Sequence, residues 1–278
     1  MSGKKMIIYK TDEEIELIRQ SCLLVSKSLA LVGSMIKPGM TGADIDKAAE
    51  ELIRDHGAVP GFKGYGGFPA TLCVSPNEQV VHGIPDKDMV FQDGDIVSVD
   101  CGVIMNGFYG DAAYTFALGD VSEEIMKLLE VTNTSLYKGI EQAIVGNRLG
   151  DVSFAIQQYA EKEHGYGIVR ELVGHGLGRN LHEAPEVPNY GRRGRGVKLQ
   201  EGLVIAIEPM VNLGNKSVAT SKDGWTVYAK DRKPSAHFEH SVAVRKDKAD
   251  ILSDHSLVEA AIRKNDHVME VKINLEFA

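Results

Sequence analysis

The 278-residue sequence has few cysteines, no long apolar run and no excess of basic charge. Its 3 cysteines include no CxxC pair, so neither a disulfide framework nor a cysteine zinc site is expected. No apolar stretch approaches the roughly 20 residues of a membrane helix, and residues 1–10 lack the apolar segment of a secretory signal. The 31 basic and 39 acidic residues give a net charge of −8. We therefore expect a cytoplasmic protein that binds neither DNA nor membranes.

Apolar residues at helical spacing, preceded by capping residues, predict four helices. They cover approximately residues 12–37, 42–57, 122–145 and 151–165, the last of them opened by Asp151. Short apolar or alternating runs predict strands near 70–74, 79–82, 96–100, 108–118, 169–173, 203–207 and 235–244. Glycine-rich stretches predict loops at 57–69 and 174–178.

Asn106-Gly107 is the strongest hairpin signal in the chain. A two-residue turn there places Asp100 opposite Ala113, with Asp111 as its diagonal neighbour on the same face. Two carboxylates in this arrangement repel each other unless a cation lies between them. The alternative is a pair of solvated aspartates near a turn.

The segment 92–100 is similar to the segment 200–208, which lies 108 residues further along. The helix starts at Asp12 and Thr41 recur at Ser122 and Asp151, both 110 residues later. We predict one catalytic domain made of two similar halves, about 11–119 and 120–246, followed by a C-terminal tail at about 250–278. Chance similarity of strand starts is the alternative.

Five residues have the composition of a metal centre. Asp100 and Glu208 each end an apolar strand of the repeat, where a carboxylate is expected to be paired or to bind metal. Asp111 follows on the hairpin, Glu239 lies in an alternating strand, and His175 sits between glycines. Four carboxylates balance two divalent cations, and this donor set suits Mn²⁺, Fe²⁺ or Co²⁺, with Zn²⁺ also possible. A four-coordinate structural zinc site is disfavoured.

These residues, together with His82 and His182, lie in motifs that resemble the short bacterial form of type I methionine aminopeptidases. The resemblance runs from about residue 11 to 252 and implies an α+β pita-bread fold, with two pseudo-symmetric α-α-β-β halves around a central, antiparallel-rich curved sheet. The matching motifs are Asn77–Pro85, Asp93–Asp111, Gly174–Pro185, Ile207–Val211, Asp223–Val227 and Ser235–Ser241.

The resemblance also implies an activity: hydrolytic removal of the N-terminal methionine, with a preference for a small second residue, by a hydroxide that bridges two divalent metal ions (Co, Mn, Fe or Zn). It implies that the metal ligands are Asp100, Asp111, His175, Glu208 and Glu239. It assigns catalysis to His82, His182 and Glu208. The substrate site would be lined by His82, His182, Phe62, Tyr65, Phe68, Cys73, Leu181 and Trp225.

Three of the pocket positions depart from common type I residues: Phe62, Phe68 and Leu181. They keep the pocket apolar but change its shape. An Xaa-Pro aminopeptidase is the closest rival, since these enzymes share the five-ligand pattern, but they usually carry an N-terminal domain for which the first helix leaves no room. A non-catalytic binding protein on the same scaffold is the other alternative, and such proteins lose metal ligands.

The resemblance implies a nascent polypeptide or peptide with a free N-terminal methionine as the partner, and a monomer is the default. The loop 192–198 carries three arginines and one lysine. It is either a solvated charged loop or a site of transient contact with ribosomal RNA.

Overall fold

The computed structural model describes residues 6–273, which include five α-helices. Thr11 caps the first helix in a capping box with Glu14, and Thr41 caps the second helix, as the sequence predicts; in the structure Thr41 also forms a capping box with Asp44. No helix in the described part of the chain is both long and apolar enough to span a bilayer. The helices are α1 (Asp12–Met35), α2 (Gly42–Asp55), α3 (Glu123–Glu141), α4 (Leu149–Gln157) and α5 (His255–Ile262).

The described residues also form sixteen mostly short strands. They are β1 (Val59–Pro60), β2 (Leu72–Pro76), β3 (Gln79–Val81), β4 (Ile96–Met105), β5 (Phe108–Leu118), β6 (Gly167–Ile168), β7 (Gly174–Gly176), β8 (Glu183–Val187), β9 (Val204–Ile207), β10 (Met210–Asn212), β11 (Val218–Thr220), β12 (Val227–Ala229), β13 (Ser235–His237), β14 (His240–Ala243), β15 (Asp250–Ile251) and β16 (Val268–Met269).

The β4–β5 hairpin has the predicted register. Asp100 pairs with Ala113, and Gly102 pairs with Asp111. The turn residues Asn106 and Gly107 have φ values of 54° and 76°, the left-handed conformation that a type I′ turn requires. Asp100 and Asp111 therefore lie on the same face of the hairpin.

Two five-stranded antiparallel sheets carry or directly adjoin the five candidate metal ligands. In the first, β5 pairs with β4 and β16, and the other edge of β4 pairs with β1 and β2. In the second, the strand order is β15-β14-β9-β7-β8. Hydrogen bonds join the two sheets, since the Glu239 N–H bonds to the Ala113 carbonyl and the Ser241 hydroxyl bonds to the Asp111 carbonyl. These bonds bring the region of Glu239 next to the hairpin that carries Asp111.

Helices cover the outer faces of the sheets. α1 packs against β4, β5 and α5, while α3 packs against α4. The segment predicted as a tail folds back onto the first half, because it contains α5 and because β16 pairs with β5. Residues beyond 273 lie outside the described residues.

The prediction that Asp151 opens the fourth helix is wrong. α4 begins at Leu149, and Asp151 is its third residue, where the carboxylate accepts a hydrogen bond from the Arg148 N–H at 2.7 Å. Asp44 has the same role in α2. The sequence alone does not distinguish the two positions, because aspartate is favoured both as the cap and as the third residue. Beyond α4, residues Gln158–Glu163 form a wider π-helical turn.

Two strand predictions and one loop prediction also need correction. The strand predicted at 169–173 lies at Gly167–Ile168 instead. The predicted loop at 174–178 contains the strand β7, where a Cβ atom on Gly174 would lie 2.3 Å from the Ala206 carbonyl oxygen. Glycine there permits close strand approach rather than a loop. The strand predicted at 235–244 is interrupted at Phe238 and Glu239, where the backbone bonds to β5 instead.

A buried ion pair fastens the N-terminal segment to the second sheet. Lys10 Nζ lies 2.6 Å from Glu183 Oε2, and the two side chains are 2% and 4% exposed. Lys10 Nζ also donates to the Ile8 carbonyl, and the other Glu183 oxygen accepts from the Asn180 N–H. Each charge is therefore hydrogen-bonded beyond its partner, which is the condition for a buried pair to be tolerated.

We expect Lys10→Met to lower the free energy of unfolding by about 3–5 kcal/mol, because the Glu183 carboxylate stays buried without its partner. Urea unfolding of the chelator-treated protein measures the change. The double variant Lys10→Met/Glu183→Gln is the control, and it should recover most of the loss because it removes both charges. A single variant within 1 kcal/mol of wild type would contradict this role of the pair.

Candidate metal centre and peptide pocket

All thirteen site residues predicted from the sequence line one cavity of about 200 Å³. Residues of both sheets contribute to its lining, which combines acidic residues with apolar and aromatic ones. Its predicted lining residues are Phe62, Tyr65, Phe68, Cys73, His82, Asp100, Asp111, His175, Leu181, His182, Glu208, Trp225 and Glu239.

The five candidate ligands come from separate strands. Asp100 lies on β4 and Asp111 on β5, while His175 lies on β7. Glu208 directly follows β9, and Glu239 occupies the break between β13 and β14. Glu208 and Glu239 lie just beyond strand ends, outside the paired residues of the sheet, and their side chains line the cavity.

His175 lies at the centre of the carboxylates. Its Nε2 atom is 3.5 Å from Glu208 Oε1 and 3.7 Å from Asp111 Oδ2. Its Nδ1 atom is 3.0 Å from the Gly176 carbonyl oxygen, to which it donates, so Nε2 carries a lone pair toward the carboxylates. Donor atoms of Asp111, His175 and Glu239 all lie within 4.8 Å of one another.

Burial raises the pKa of every carboxyl group in the cluster. The pKa of Asp100 rises to about 7, and hydrogen bonds with Asp111 and the Cys101 N–H limit the rise. The pKa values of Asp111, Glu208 and Glu239 rise well above their ordinary range, because burial is reinforced by repulsion from the other carboxylates. Without a cation, this arrangement strongly disfavours four ionised groups.

The donor set fits divalent cations. One oxygen each of Asp100, Asp111 and Glu239 is buried without a hydrogen-bond partner among residues 6–273. Burial, with the neighbouring His182, lowers the pKa of His175 to about 4, so its imidazole is neutral at pH 7 and able to ligate. Unsatisfied carboxylate oxygens around a neutral imidazole are what hard or borderline divalent ions prefer.

His82 and His182 approach the cavity from two different loops. His82 directly follows β3 and has a φ of 59°, an uncommon conformation for a residue other than glycine. Burial, followed by the nearby His182, lowers its pKa, so it is neutral at pH 7. The ring of His182 packs edge-on against His175, with 4.4 Å between centroids.

Tyr65 connects the glycine-rich loop to His182. The Tyr65 hydroxyl lies 2.8 Å from His182 Nδ1, and the two rings are 5.2 Å apart. Backbone bonds from the Tyr65 N–H to Phe62 and from the Phe68 N–H to Tyr65 hold the turn in place. The hydroxyl therefore fixes the orientation of the His182 ring at the mouth of the cavity.

We expect Tyr65→Phe to lower kcat on a Met-Ala-Ser peptide about two- to tenfold, the effect of losing one hydrogen bond. KM should change less, because the ring that lines the pocket is retained. Tyr109→Phe, which removes a hydroxyl from a neighbouring tyrosine, is the matched control. Histidine ¹⁵N NMR should show a change at His182 in the first variant only. Equal effects of the two substitutions would rule out this positioning role.

The apolar side of the cavity is compact. Phe68 and Trp225 pack edge to face with ring centroids 5.2 Å apart. Phe62, Cys73 and Leu181 are also buried. Phe62 rests on Gly102, where a Cβ atom would lie 2.4 Å from the ring. Burial raises the pKa of the Cys73 thiol well above its usual range, so Cys73 packs as a neutral side chain.

Sequence reasoning missed five residues near the centre. Four of them, Val81, Leu172, Val173 and Met210, line the cavity. The fifth, His237, has its Nε2 atom 4.0 Å from oxygens of both Glu208 and Glu239. The sequence does contain an indication of this position: His237 lies two residues before Glu239 in the predicted alternating strand, and side chains two residues apart in a strand share a face.

Buried carboxylates around a neutral histidine, beside an apolar pocket between two curved sheets, define a metal-dependent hydrolase. The model of Metallopeptidase family M24 matches residues 16–246. Among curated proteins, methionine aminopeptidase of Clostridium acetobutylicum is 53% identical over 248 residues, which cover 89% of this chain and 99% of the relative. Methionine aminopeptidase 1 of Bacillus subtilis is 47% identical over the same length and coverage.

Comparison with solved structures supports the same family. The crystal structure of methionine aminopeptidase from Thermotoga maritima has a TM-score of 0.88 and 44% identity, covering 90% of this chain and 100% of that one. A prolidase from Pyrococcus furiosus has a TM-score of 0.73 at 24% identity and covers 89% of this chain and 65% of its own, which shows a common fold. The chain belongs to metallopeptidase family M24, and within it to the methionine aminopeptidases, with their pita-bread fold.

Proposed function

We propose that this aminopeptidase works with two divalent metal ions held by Asp100, Asp111, His175, Glu208 and Glu239. The proposal rests on one observation above all: these five donors surround a single cavity, and buried oxygens of three of them have no hydrogen-bond partner in the described part of the chain. Four carboxylates match the charge of two divalent ions. When bound, such ions lower the pKa of water toward neutrality and polarise a carbonyl group.

The chain's own residues then have distinct roles. The apolar side of the cavity takes the unbranched methionine side chain of the substrate. Asp100 accepts a hydrogen bond from the free α-amino group. The nitrogen of His182 that does not face Tyr65 donates to the scissile carbonyl oxygen, which stabilises the charge that develops there.

Glu208 transfers protons during the reaction, and His82 hydrogen-bonds to the substrate. The Glu208 carboxylate takes the proton of the attacking water and passes it toward the leaving amine. His82 hydrogen-bonds to the scissile amide from the opposite side of the cavity. The compact cavity of about 200 Å³ supports the preference for a small second residue, because a large one next to the scissile bond would meet the histidines.

An Xaa-Pro aminopeptidase activity is less well supported. The prolidase relative shares the fold at 24% identity, whereas the methionine aminopeptidase relatives reach 53%. A panel that compares Met-Ala-Ser with Ala-Pro-Ser separates the two activities.

Activity of chelator-stripped protein, restored separately with Mn²⁺, Fe²⁺, Co²⁺ and Zn²⁺, tests the metal proposal. We expect no release of methionine from Met-Ala-Ser before metal is added, and activity that rises until about two ions are bound per chain. Calorimetric titration gives the stoichiometry independently. Full activity in the stripped protein, or saturation by one ion, would contradict the two-metal proposal.

We also propose that the enzyme is a cytoplasmic monomer that acts on nascent chains. Its three cysteines are buried and unpaired, in keeping with a reducing compartment. Light scattering tests the monomer, and fluorescence microscopy of a tagged chain tests the location. The sequence raised ribosomal RNA as a partner for the loop 192–198, but this loop lines a cleft beside the cavity, which favours a role in substrate binding.

A further inference from the structure

The methionine cavity has to open onto a path for the rest of the substrate. Its volume of about 200 Å³ lies below the roughly 300–1,000 Å³ of sites that enclose a whole small ligand. It therefore accommodates little more than the first side chain and the scissile bond. A second, larger cleft of about 920 Å³ shares Val173, His175 and His182 with it. If the first residue of a polypeptide fills the methionine cavity, the residues that follow it can extend into this cleft.

The cleft has two walls of different origin. Residues of β8 and the following Pro188 form one wall, and the start of α4 with the loop 190–197 forms the other. Pro185, Tyr190 and Val197 supply apolar surface. An extended peptide advances about 3.3 Å per residue, so several residues after the methionine would lie between these walls.

The loop 190–197 is held rigidly against α4. The Gly150 N–H bonds to the Arg195 carbonyl at 2.9 Å, and the Leu149 N–H bonds to the Val197 carbonyl at 2.8 Å. From the other direction, the Gly194 N–H bonds to Asp151 Oδ1 at 2.8 Å. A loop that is already ordered loses little conformational entropy when it binds a ligand.

This loop gives the cleft its positive charge. Arg192 and Arg195 both line the cleft and are exposed, and neither forms an ion pair with a carboxylate among residues 6–273. On the opposite wall, the charge of Glu183 is neutralised by Lys10, so Glu186 is the remaining carboxylate. The cleft therefore carries an excess of one positive charge.

Arg193 differs from its neighbours. It lies over the Phe154 ring, 5.9 Å from the centroid, and lines a separate groove beside α3 and α4. It has the same charge, loop and exposure as Arg192 and Arg195 but does not line the cleft. The chain thus supplies its own matched control.

We propose that the cleft binds the polypeptide segment that follows the initiator methionine, and that Arg192 and Arg195 favour acidic side chains in that segment. This inference rests on the proposed function, because it needs the methionine to occupy the inner cavity. Solvent-exposed charge pairs are individually weak, so each arginine should change the preference by about two- to fivefold. The preference should decrease as salt screens the charges.

Steady-state kinetics on four peptides test the proposal: Met-Ala-Ser alone, and Met-Ala-Ser extended by three glutamates, three glutamines or three lysines. For the wild type at low salt, we expect kcat/KM to be highest with the glutamate tail, mainly through KM. Arg192→Glu and Arg195→Glu should each reduce the ratio of the glutamate to the lysine peptide about fivefold or more, because each reverses a charge. Glu186→Gln should increase that ratio, and Arg193→Glu should leave it unchanged.

Two outcomes would overturn the inference. One is a wild type with the same kcat/KM for all three tails. The other is an equal effect of Arg193→Glu and Arg195→Glu, which would indicate general charge rather than the cleft. Cosedimentation with ribosomes tests the alternative that the loop contacts ribosomal RNA. If Arg192→Glu and Arg195→Glu lose cosedimentation but keep the wild-type preference among peptide tails, the arginines bind RNA and the inference is wrong. Failure to release methionine from Met-Ala-Ser would instead contradict the proposed function.

Discussion

Glu208→Gln is expected to lower kcat on Met-Ala-Ser by about 10³-fold, within the range for loss of a general acid–base group. Glu208 ends a buried strand, and its Oε1 atom lies 3.5 Å from His175 Nε2. The amide keeps the size of the side chain but cannot accept the proton. It also weakens a donor that we propose as a metal ligand, so the number of bound ions must be measured together with kcat.

Glu201→Gln is the control, because Glu201 precedes the same strand but is exposed and only loosely paired with Lys246 at 3.9 Å. It should retain wild-type kcat. If Glu208→Gln keeps both ions and loses kcat, proton transfer is the main role. If kcat returns when metal is added in excess, metal binding is the main role. Wild-type turnover in this variant would exclude both.

Asp111→Asn is expected to reduce kcat/KM by at least about 10³-fold, because it removes a carboxylate that lies 3.7 Å from His175 and that we propose as a metal ligand. Calorimetric titration should show fewer bound ions, or much weaker binding. Asp88→Asn, at an exposed carboxylate outside the cavity, should change neither quantity. Two tightly bound ions in Asp111→Asn would contradict its assignment as a ligand.

Although Asp111→Asn should reduce activity, it should increase the stability of the protein when metal is removed by a chelator. The pKa of Asp111 is raised in the folded protein by burial, then by Glu239 and Asp100. A raised pKa contributes stability below the unfolded value of about 3.9, and that contribution is lost as pH rises through the folded pKa. At pH 8, folding of the metal-free wild type must therefore either protonate Asp111 or bury its charge, and asparagine avoids this penalty.

Thermal unfolding in chelator measures the difference. At pH 8, Asp111→Asn should be more stable than wild type by about 1–3 kcal/mol, or about 2–4 °C in Tm per kcal/mol. The gain should disappear near pH 4. Added Mn²⁺ should reverse the order, because only the wild type binds it well. A less stable variant at pH 8 in chelator would indicate that repulsion in the cluster is not significant.

Local features of the fold could be predicted because they depend on near neighbours in the chain. The capping boxes at Thr11 and Thr41 depend on residues three positions apart. The register of Asp100 and Asp111 follows from a two-residue turn. The predictions that failed needed distant contacts: Gly174 of β7 allows Ala206 to approach, and the break before β14 coincides with a bond from the Glu239 N–H to Ala113.

The sequence by itself determined the starts of α1, α2 and α3, the hairpin register and the chemical types of the proposed metal donors, because helical period, capping and turn geometry depend on residues close together in the chain. Only the tertiary structure decided that donors from five segments meet in one cavity, that His237 joins them, and that a cleft beside Arg192 and Arg195 continues from it. Those distances depend on how two sheets and their helices pack, and packing is set by the whole chain rather than by any one segment.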